Sequence, residues 1–424
     1  DWSRYGRHGV QVPDWVFGSL SEEDRPFGHY ITEVVMKKSS VSRRSFMGGT
    51  AAALGYMGLN PSGDVSAKEF SLDEFRRSSQ EYDFDSYARL SSNENAWAPS
   101  ESVLDAVTAS FKYANRYGDP GEDIVAAIAE RDGVEENMVM TTPGSGAFLR
   151  VVGTTFLGPN KKVVGVEPTY SSVYRHASGL KADVIALSLN EDATQNIDRM
   201  IEVTRKNYRD VGLVYLVNPN NPTGISVDSS DVQRLLDGIP DDVPVLIDEA
   251  YHHFVQNPNY RTAIPHVLEG RPVMVARTFS KIYGMAAIRL GYGIASPEMI
   301  DKMRPYQTGN VSVLARWGGV AALKDTESEA KFLKDTLDLR NKTMGELQGM
   351  GHRILPSDTN FFFVYTGRPV TEVQEAFRQK GVLVGRPFPP MLDYLRVSIG
   401  TAEEMERFMV AWKEIMPAVA ADSL

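Results

Sequence analysis

From about Ser100 onward, two kinds of apolar pattern alternate along the chain. Apolar residues spaced three and four apart predict helices near 101–115 and 120–131, from Gly146, near 194–207 and near 228–237. Short, nearly continuous apolar runs at 137–142, 162–167, 211–217, 243–247 and 272–277 predict strands between them. Such alternation builds a mostly parallel sheet covered by helices on both faces, an α/β fold. Beyond Pro297 the pattern changes to long helices, one of them charged from Glu327 to about Met350. Strand signals follow at 359–365, 382–386 and 394–398, then a last helix at 402–416, which together predict a smaller α+β domain. The large domain is expected to span 116–305 and the small one 306–424, with 68–115 as an N-terminal segment joining the small domain.

Composition narrows the function classes. A chain of 424 residues with 42% hydrophobic content is long enough for two cores. Its formal charge of −10 and pI near 5.4 argue against a nucleic-acid partner, which would ask for a basic face. No stretch reaches the roughly 18 apolar residues of a membrane-spanning helix. With no cysteine, thiolate chemistry, disulfides and cysteine metal ligation are excluded. No metal site is expected either: the seven histidines lack ligand spacing, and the adjacent His252 and His253 are expected on opposite faces of a strand.

The first 67 residues divide into two pieces. Residues 1–35 carry no readable motif and read as sequence upstream of a start at Met36. In 36–67, Lys37 and Lys38 precede Ser42-Arg43-Arg44-Ser45-Phe46-Met47, then a Gly/Ala-rich apolar run to Leu59 and a small-residue cleavage site at Val65-Ser66-Ala67. The arginine pair with Phe46 two residues on resembles the twin-arginine export signal. That resemblance implies a protein folded in the cytoplasm and carried to the periplasm or beyond, with a mature start near Lys68. A basic linker before an ordinary helix is the alternative.

The residues that carry chemistry come in a fixed order: Gly144-Ser145-Gly146-Ala147, Tyr170, Asn221-Pro222-Thr223-Gly224, Asp248-Glu249-Ala250-Tyr251, Ser280-Lys281, Arg289 and Arg396. Ser145-Gly146 follows an apolar strand and opens a helix, so free N–H groups there can face an anion; a plain strand-to-helix turn is the alternative. Asp248 ends the apolar run Val245-Leu246-Ile247, where a carboxylate is costly without a partner, unless it serves as a turn residue. Lys281 ends another apolar strand, and partial burial would favour its neutral amine.

In this order and spacing the constellation resembles fold-type I aminotransferases that use pyridoxal 5′-phosphate (PLP), nearest the histidinol-phosphate aminotransferase branch, over about residues 88–416. The resemblance implies a large domain with a mostly parallel seven-stranded sheet, a small α+β domain, PLP as cofactor, and Lys281 as the Schiff-base lysine. It implies phosphate binding by Ser145, Gly146, Ala147, Thr278, Ser280 and Arg289, and pairing of Asp248 with the pyridine nitrogen. Tyr251 and Asn221 would bond the phenolic oxygen, and Tyr170 would stack on the ring, though a lone tyrosine is more often core. Arg396 matches the arginine for the substrate α-carboxylate, while Asn93, Trp97 and Arg386 would shape the substrate pocket, packing or surface roles being the alternative for the last two. Tyr117 matches a tyrosine that reaches a partner subunit's cofactor phosphate, implying a homodimer with shared active sites. The sequence departs from the pattern at Ala96 and Ala98, where the family usually has Pro and Gly, and at Gly146-Ala147, where the branch commonly carries acidic residues. These departures and the export-like leader favour an amino acid over histidinol phosphate as substrate. A lyase or decarboxylase on the same fold is the alternative activity; a regulatory module lacks the helix-turn-helix it would need.

Overall fold

A computed structural model describes residues 84–118 and 120–416; the leader-like stretch 36–67 and the residues before it lie outside the described residues. In chain order the strands among the described residues are β1 (Ala88–Leu90), β2 (Val139–Thr142), β3 (Lys162–Glu167), β4 (Asp183–Ser188), β5 (Val211–Val217), β6 (Val245–Asp248), β7 (Val273–Thr278), β8 (Gly291–Ile294), β9 (Phe361–Tyr365), β10 (Val382–Val384) and β11 (Tyr394–Ser398). Seven of them form one sheet in the order β2-β8-β7-β6-β5-β3-β4. Only β8 runs against its neighbours β7 and β2; the β3, β4, β5, β6 and β7 pairings are parallel. This is the mostly parallel α/β sheet that the alternation predicts.

The strand period of two explains why the central strands read as unbroken apolar runs. In β5 every residue is buried. Val214 and Leu216 enter one core, while Leu213, Tyr215 and Val217 enter the core on the opposite face. Each such side chain contributes about 1.5–3 kcal/mol by leaving water. The predicted ranges 162–167, 211–217 and 394–398 match β3, β5 and β11 residue for residue.

Two sheet strands escape sequence reading for physical reasons. The edge strand β4 is only partly covered, with polar Asp183 and Ser188 at its two ends. Strand β8 reads Gly-Tyr-Gly-Ile, a weak strand by propensity. Its Gly293 is needed for packing, because a Cβ there would lie 1.9 Å from the Phe148 ring.

In the small domain β9 pairs antiparallel with β11, and β1 pairs in parallel with β10. Helix Ala402–Ile415, opened by a capping box of Thr401 and Glu404, packs Phe408 and Trp412 against Phe377. Within segment 68–115, β1 is thus tied to β10. Helix Glu101–Ser110 differs, since its Val103 joins the large-domain core. Ala315, Val320, Ala322 and Leu323 of helix Val313–Lys324 pack into the same core. Helix Thr326–Gly349 runs from one core to the other, with Phe332, Leu333 and Leu337 against the large core and Leu347 in the small one.

Candidate active site

A parallel sheet gathers the loops that follow its strands along one edge, outside the carboxyl ends. There β2 leads to Gly144 and helix Ser145–Phe156, β3 to Tyr170, β5 to Asn221, β6 to Asp248 and Tyr251, and β7 to Lys281. Arg289 reaches the same edge because β8, which follows it, runs in the opposite sense. With Arg386 and Arg396 of the small domain, Ser145, Tyr170, Asn221, Asp248, Tyr251, Lys281 and Arg289 line one cavity of about 1020 Å³.

One end of the cavity is an anion cradle. Helix Ser145–Phe156 presents its free N–H groups and positive dipole end, and Ser145, Gly146, Thr278, Ser280 and Arg289 surround the space in front. The geometry demands glycine: Gly144 has φ +79°, and a Cβ on it would fall 2.0 Å from Arg289 Nη2. A Cβ on Gly291 would fall 2.1 Å from the Ser145 nitrogen. Arg289 itself sits at φ +66°, a conformation costing a side-chain-bearing residue about 1–3 kcal/mol. Its guanidinium is steadied by donating to the Ala286 and Pro143 carbonyls at 2.6 and 3.4 Å. This cradle suits the phosphate of the expected cofactor.

Deeper in, Asp248 is 2% exposed and has no ion-pair partner among the described residues. Burial pushes its carboxyl up to about 6, against the Ala250 N–H and the Lys281 charge, which favour ionisation. A buried, unpaired carboxylate of this kind fits a cationic ring nitrogen. Lys281 lines the same cavity and donates from Nζ to the Asn93 carbonyl at 2.9 Å, with Nζ 5.5 Å from the Tyr251 ring centre. Burial, then the positive Arg396, lowers its ammonium to about 8, while Glu94 and Asp248 oppose the shift and Arg289 adds to it.

That shift has a kinetic sign. A lysine titrating at about 8 is roughly one-tenth neutral amine at pH 7, whereas an ordinary one is about 3 parts in 10,000. Coupling of PLP to the cofactor-free protein, followed by stopped-flow absorbance, is therefore expected to accelerate about tenfold per pH unit up to about pH 8 and then level off. A rate still climbing at pH 10 would show an unshifted amine.

Tyr251 is buried, its hydroxyl pushed up to about 12, and it accepts from Asn93 Nδ2 at 3.0 Å and Asn221 Nδ2 at 3.3 Å. Asn221 in turn accepts from Arg396 Nη1 at 2.7 Å, and Arg396 Nη2 donates to the Ser91 carbonyl at 2.6 Å. Burial lowers Arg396 to about 10, and its buried Nε has no acceptor. An unmet buried donor costs about 1–3 kcal/mol, so a ligand carboxylate there would be well rewarded.

Some expected site residues stand elsewhere. Trp97 does not line the cavity; it stacks on Phe332 at 6.3 Å, because the long helix offers it an apolar face. Ala147 is likewise absent from the lining, lying one residue further into the helix than the N–H groups that face the cradle. Tyr117 is fully exposed and away from the cavity. His252 and His253 are not on opposite strand faces but in a one-turn 3-10 helix, with ring centres 3.8 Å apart. Among the described residues no cluster of metal-ligating side chains occurs. Ala98 takes φ +64°, which explains why the family pattern has glycine there. Sequence reading missed Arg150, Arg175, His176 and Gln374, all of which line the cavity. On amphipathic helices such residues look like an ordinary solvated face.

Residues 86–411 match the model of the family described as aminotransferase class I and II. Histidinol-phosphate aminotransferase 1 of Mesorhizobium japonicum is 31% identical over 338 residues, covering 78% of this chain and 90% of that protein. The histidinol-phosphate aminotransferase of Moorella thermoacetica is 32% identical over 77% of this chain and 85% of its own. Among solved structures, histidinol-phosphate aminotransferase from Sinorhizobium meliloti in complex with pyridoxal-5′-phosphate superposes with a TM-score of 0.72 at 23% identity, over 79% and 92% of the two chains.

Proposed function

Since the chain belongs to the class I and II aminotransferases and is a PLP-dependent enzyme, we propose a division of labour among its residues for moving an amino group between an amino acid and a 2-oxo acid. The observation that carries it is the pairing, in one cavity, of a buried unpaired carboxylate at Asp248 with a readily neutralised amine at Lys281, beside an anion cradle. PLP, when bound, supplies an electron sink for the charge left when the substrate Cα proton departs. Ser145, Gly146, Thr278, Ser280 and Arg289 hold its phosphate, and Asp248 keeps its ring nitrogen protonated. Asn221 and Tyr251 bond its phenolic oxygen, and Tyr170 covers the ring. Lys281 would be the amine that holds the cofactor's aldehyde, and its free amine would serve as the acid and base for the substrate Cα proton. Arg396 takes the substrate α-carboxylate, with its unmet Nε as a ready donor.

Arg396→Gln is expected to lower kcat/KM for amino acids by about 10²-fold or more, while the cofactor absorbance stays as in the wild type. Steady-state kinetics beside spectra check this, and intact amino-acid kinetics would remove Arg396 from the role. The same assay, run as a panel of amino donors with the conversion of bound cofactor followed by absorbance, tests the whole reading. A second reading, histidinol phosphate as donor, is favoured by the names of the relatives. It stands against Ala96, Ala98 and Gly146-Ala147; faster turnover of histidinol phosphate than of every amino acid tested would establish it.

Two further proposals rest on sequence. A homodimer with shared active sites follows from the match of Tyr117, whose full exposure leaves it available to a second subunit; sedimentation at the monomer mass would refute it. Export through the twin-arginine route follows from Arg43-Arg44 and the run to Ala67, residues outside those described. Replacing both arginines with lysine is expected to hold the protein in the cytoplasm, as fractionation would show, and normal export of that variant would refute the route.

A further inference from the structure

Val217 of β5 lines the cavity, but Tyr215, two residues before it on the same face, does not. The register sets Val217 beside Asp248 of β6 and Tyr215 beside Leu246. Tyr215 and Asp248 are therefore diagonal neighbours on one face of two parallel strands. Tyr215 is 1% exposed; its ring sits in the core with Leu213, Leu246 and Met274 and meets the Tyr174 ring edge-on at 5.9 Å. A phenylalanine would fill that space as well, without the cost of burying a hydroxyl. The oxygen is there for what it bonds.

It has two partners. The hydroxyl donates to the Tyr170 carbonyl at 3.1 Å, in the loop that carries the ring-covering side chain. That carbonyl also accepts the Ser172 N–H at 2.9 Å, and Thr169 beside it donates to Asn220 Oδ1 at 2.7 Å. The loop thus has anchors of its own, and the Tyr215 bond is an addition to them. The second partner is Asp248. Burial pushes that carboxyl up to about 6; of the groups facing it, the Ala250 N–H, Lys281 and the Tyr215 hydroxyl favour ionisation, while Glu249 opposes it. Burial, then the charge of Asp248, raises the Tyr215 hydroxyl well above its ordinary range, so it keeps its hydrogen.

Resting on the roles given above to Asp248 and Tyr170, we infer that Tyr215 is a positioning residue, whose phenolic hydrogen ties the carboxylate serving the ring nitrogen to the loop that covers the ring. A phenol has one hydrogen for these two acceptors. While Asp248 is neutral it can donate to Tyr215, and the phenolic hydrogen stays with the Tyr170 carbonyl. Once Asp248 is ionised, the stronger acceptor draws that hydrogen. Ring cover and ring charge then answer to one hydroxyl, outside the cavity wall.

Two replacements of Tyr215 test this. Tyr215→Phe removes the hydroxyl, and 3-fluorotyrosine at the same position keeps its shape with a more acidic hydrogen. Infrared spectra of the cofactor-free protein, with Asp248→Asn subtracted, follow the Asp248 carboxyl through a pH titration. Its midpoint is expected to rise by about one unit in Tyr215→Phe and to fall in the fluorinated variant. In the PLP-loaded protein, Tyr215→Phe should lower kcat about tenfold with KM within about twofold of wild type. A tyrosine that serves packing alone moves neither midpoint, so midpoints at the wild-type value would overturn the proposal, as would a wild-type kcat in Tyr215→Phe. Should the phenylalanine variant fail to fold, the direction of the fluorinated midpoint decides. Failure of the aminotransferase reading looks different: the midpoints would move as expected while no amino donor changed the wild-type cofactor spectrum.

Discussion

Lys281→Ala is expected to lose turnover by about 10⁴-fold or more and to lose the visible absorbance of the lysine-bound cofactor, while PLP is still retained. The size of the loss follows from two roles in one side chain. As a nucleophile the amine couples to the aldehyde, and the lowered value of about 8 keeps enough of it neutral to attack. As acid and base it moves the Cα proton, a task that alone is worth about 10²–10⁴-fold. Retention follows because the phosphate cradle of Ser145, Gly146 and Arg289 does not involve the Lys281 side chain. Absorbance spectra, phosphate analysis after gel filtration and single-turnover rates separate these three outcomes. Turnover within tenfold of wild type would exclude Lys281 as the reacting amine.

Asp248→Asn is expected to lower kcat by about 10²–10³-fold, the range for losing one preorganised electrostatic partner. The neutral amide cannot hold the ring nitrogen protonated, so the bound cofactor draws less charge away from Cα. The same substitution should leave the cofactor-free protein at least as heat-stable at pH 7. The sign follows from linkage: a carboxyl raised to about 6 in the folded state binds more protons than the unfolded chain between about pH 4 and 6. Stability from this group is therefore lost as pH rises through that window, and at pH 7 the ionised buried form is a burden that asparagine lacks. A variant with normal kcat, or one whose cofactor-free form melted well below the wild type at pH 7, would show that Asp248 serves the fold rather than the chemistry. Residues kept at a functional edge against local stability are what an active site is expected to contain.

Much of this site was legible before any coordinates because its residues sit at fixed offsets from apolar strands. Asp248 ends Val245-Leu246-Ile247, and Lys281 follows Val273–Thr278 by three residues, so sequence order alone places both at the carboxyl edge. What could not be read depends on contacts between distant segments. Trp97 finds Phe332, more than 200 residues away, instead of the cavity. Arg150 and Arg175 face the cavity only because their helices pack side by side over the sheet, and nothing in the local pattern separates them from surface arginines. The strand β8 was hidden because its glycines answer to Phe148 and Ser145, not to strand propensity. Ala98 is the converse case: sequence marked it as a departure, and only its φ of +64° shows what the usual glycine is for.

The parallel pairing of β1 with β10 joins Ala88 to Val382, nearly 300 residues apart. The same long reach recurs inside the cavity, where the Asn93 N–H donates to Ser398 Oγ at 2.8 Å and Ser398 returns a hydrogen bond to Asn93 Oδ1 at 2.9 Å. During synthesis the first of these partners therefore waits for the last. The large sheet has all its strands once Ile294 has emerged, yet the Arg396 and Ser398 that form this wall and fix Asn93 lie more than 100 residues further on. Contacts of such separation form late, since the intervening chain must close first. A ribosome halted between the codons for Arg289 and Arg396 would thus hold a chain with its phosphate cradle encoded and the arginine of its substrate wall missing. The order of translation thus sets the substrate wall after the cofactor cradle.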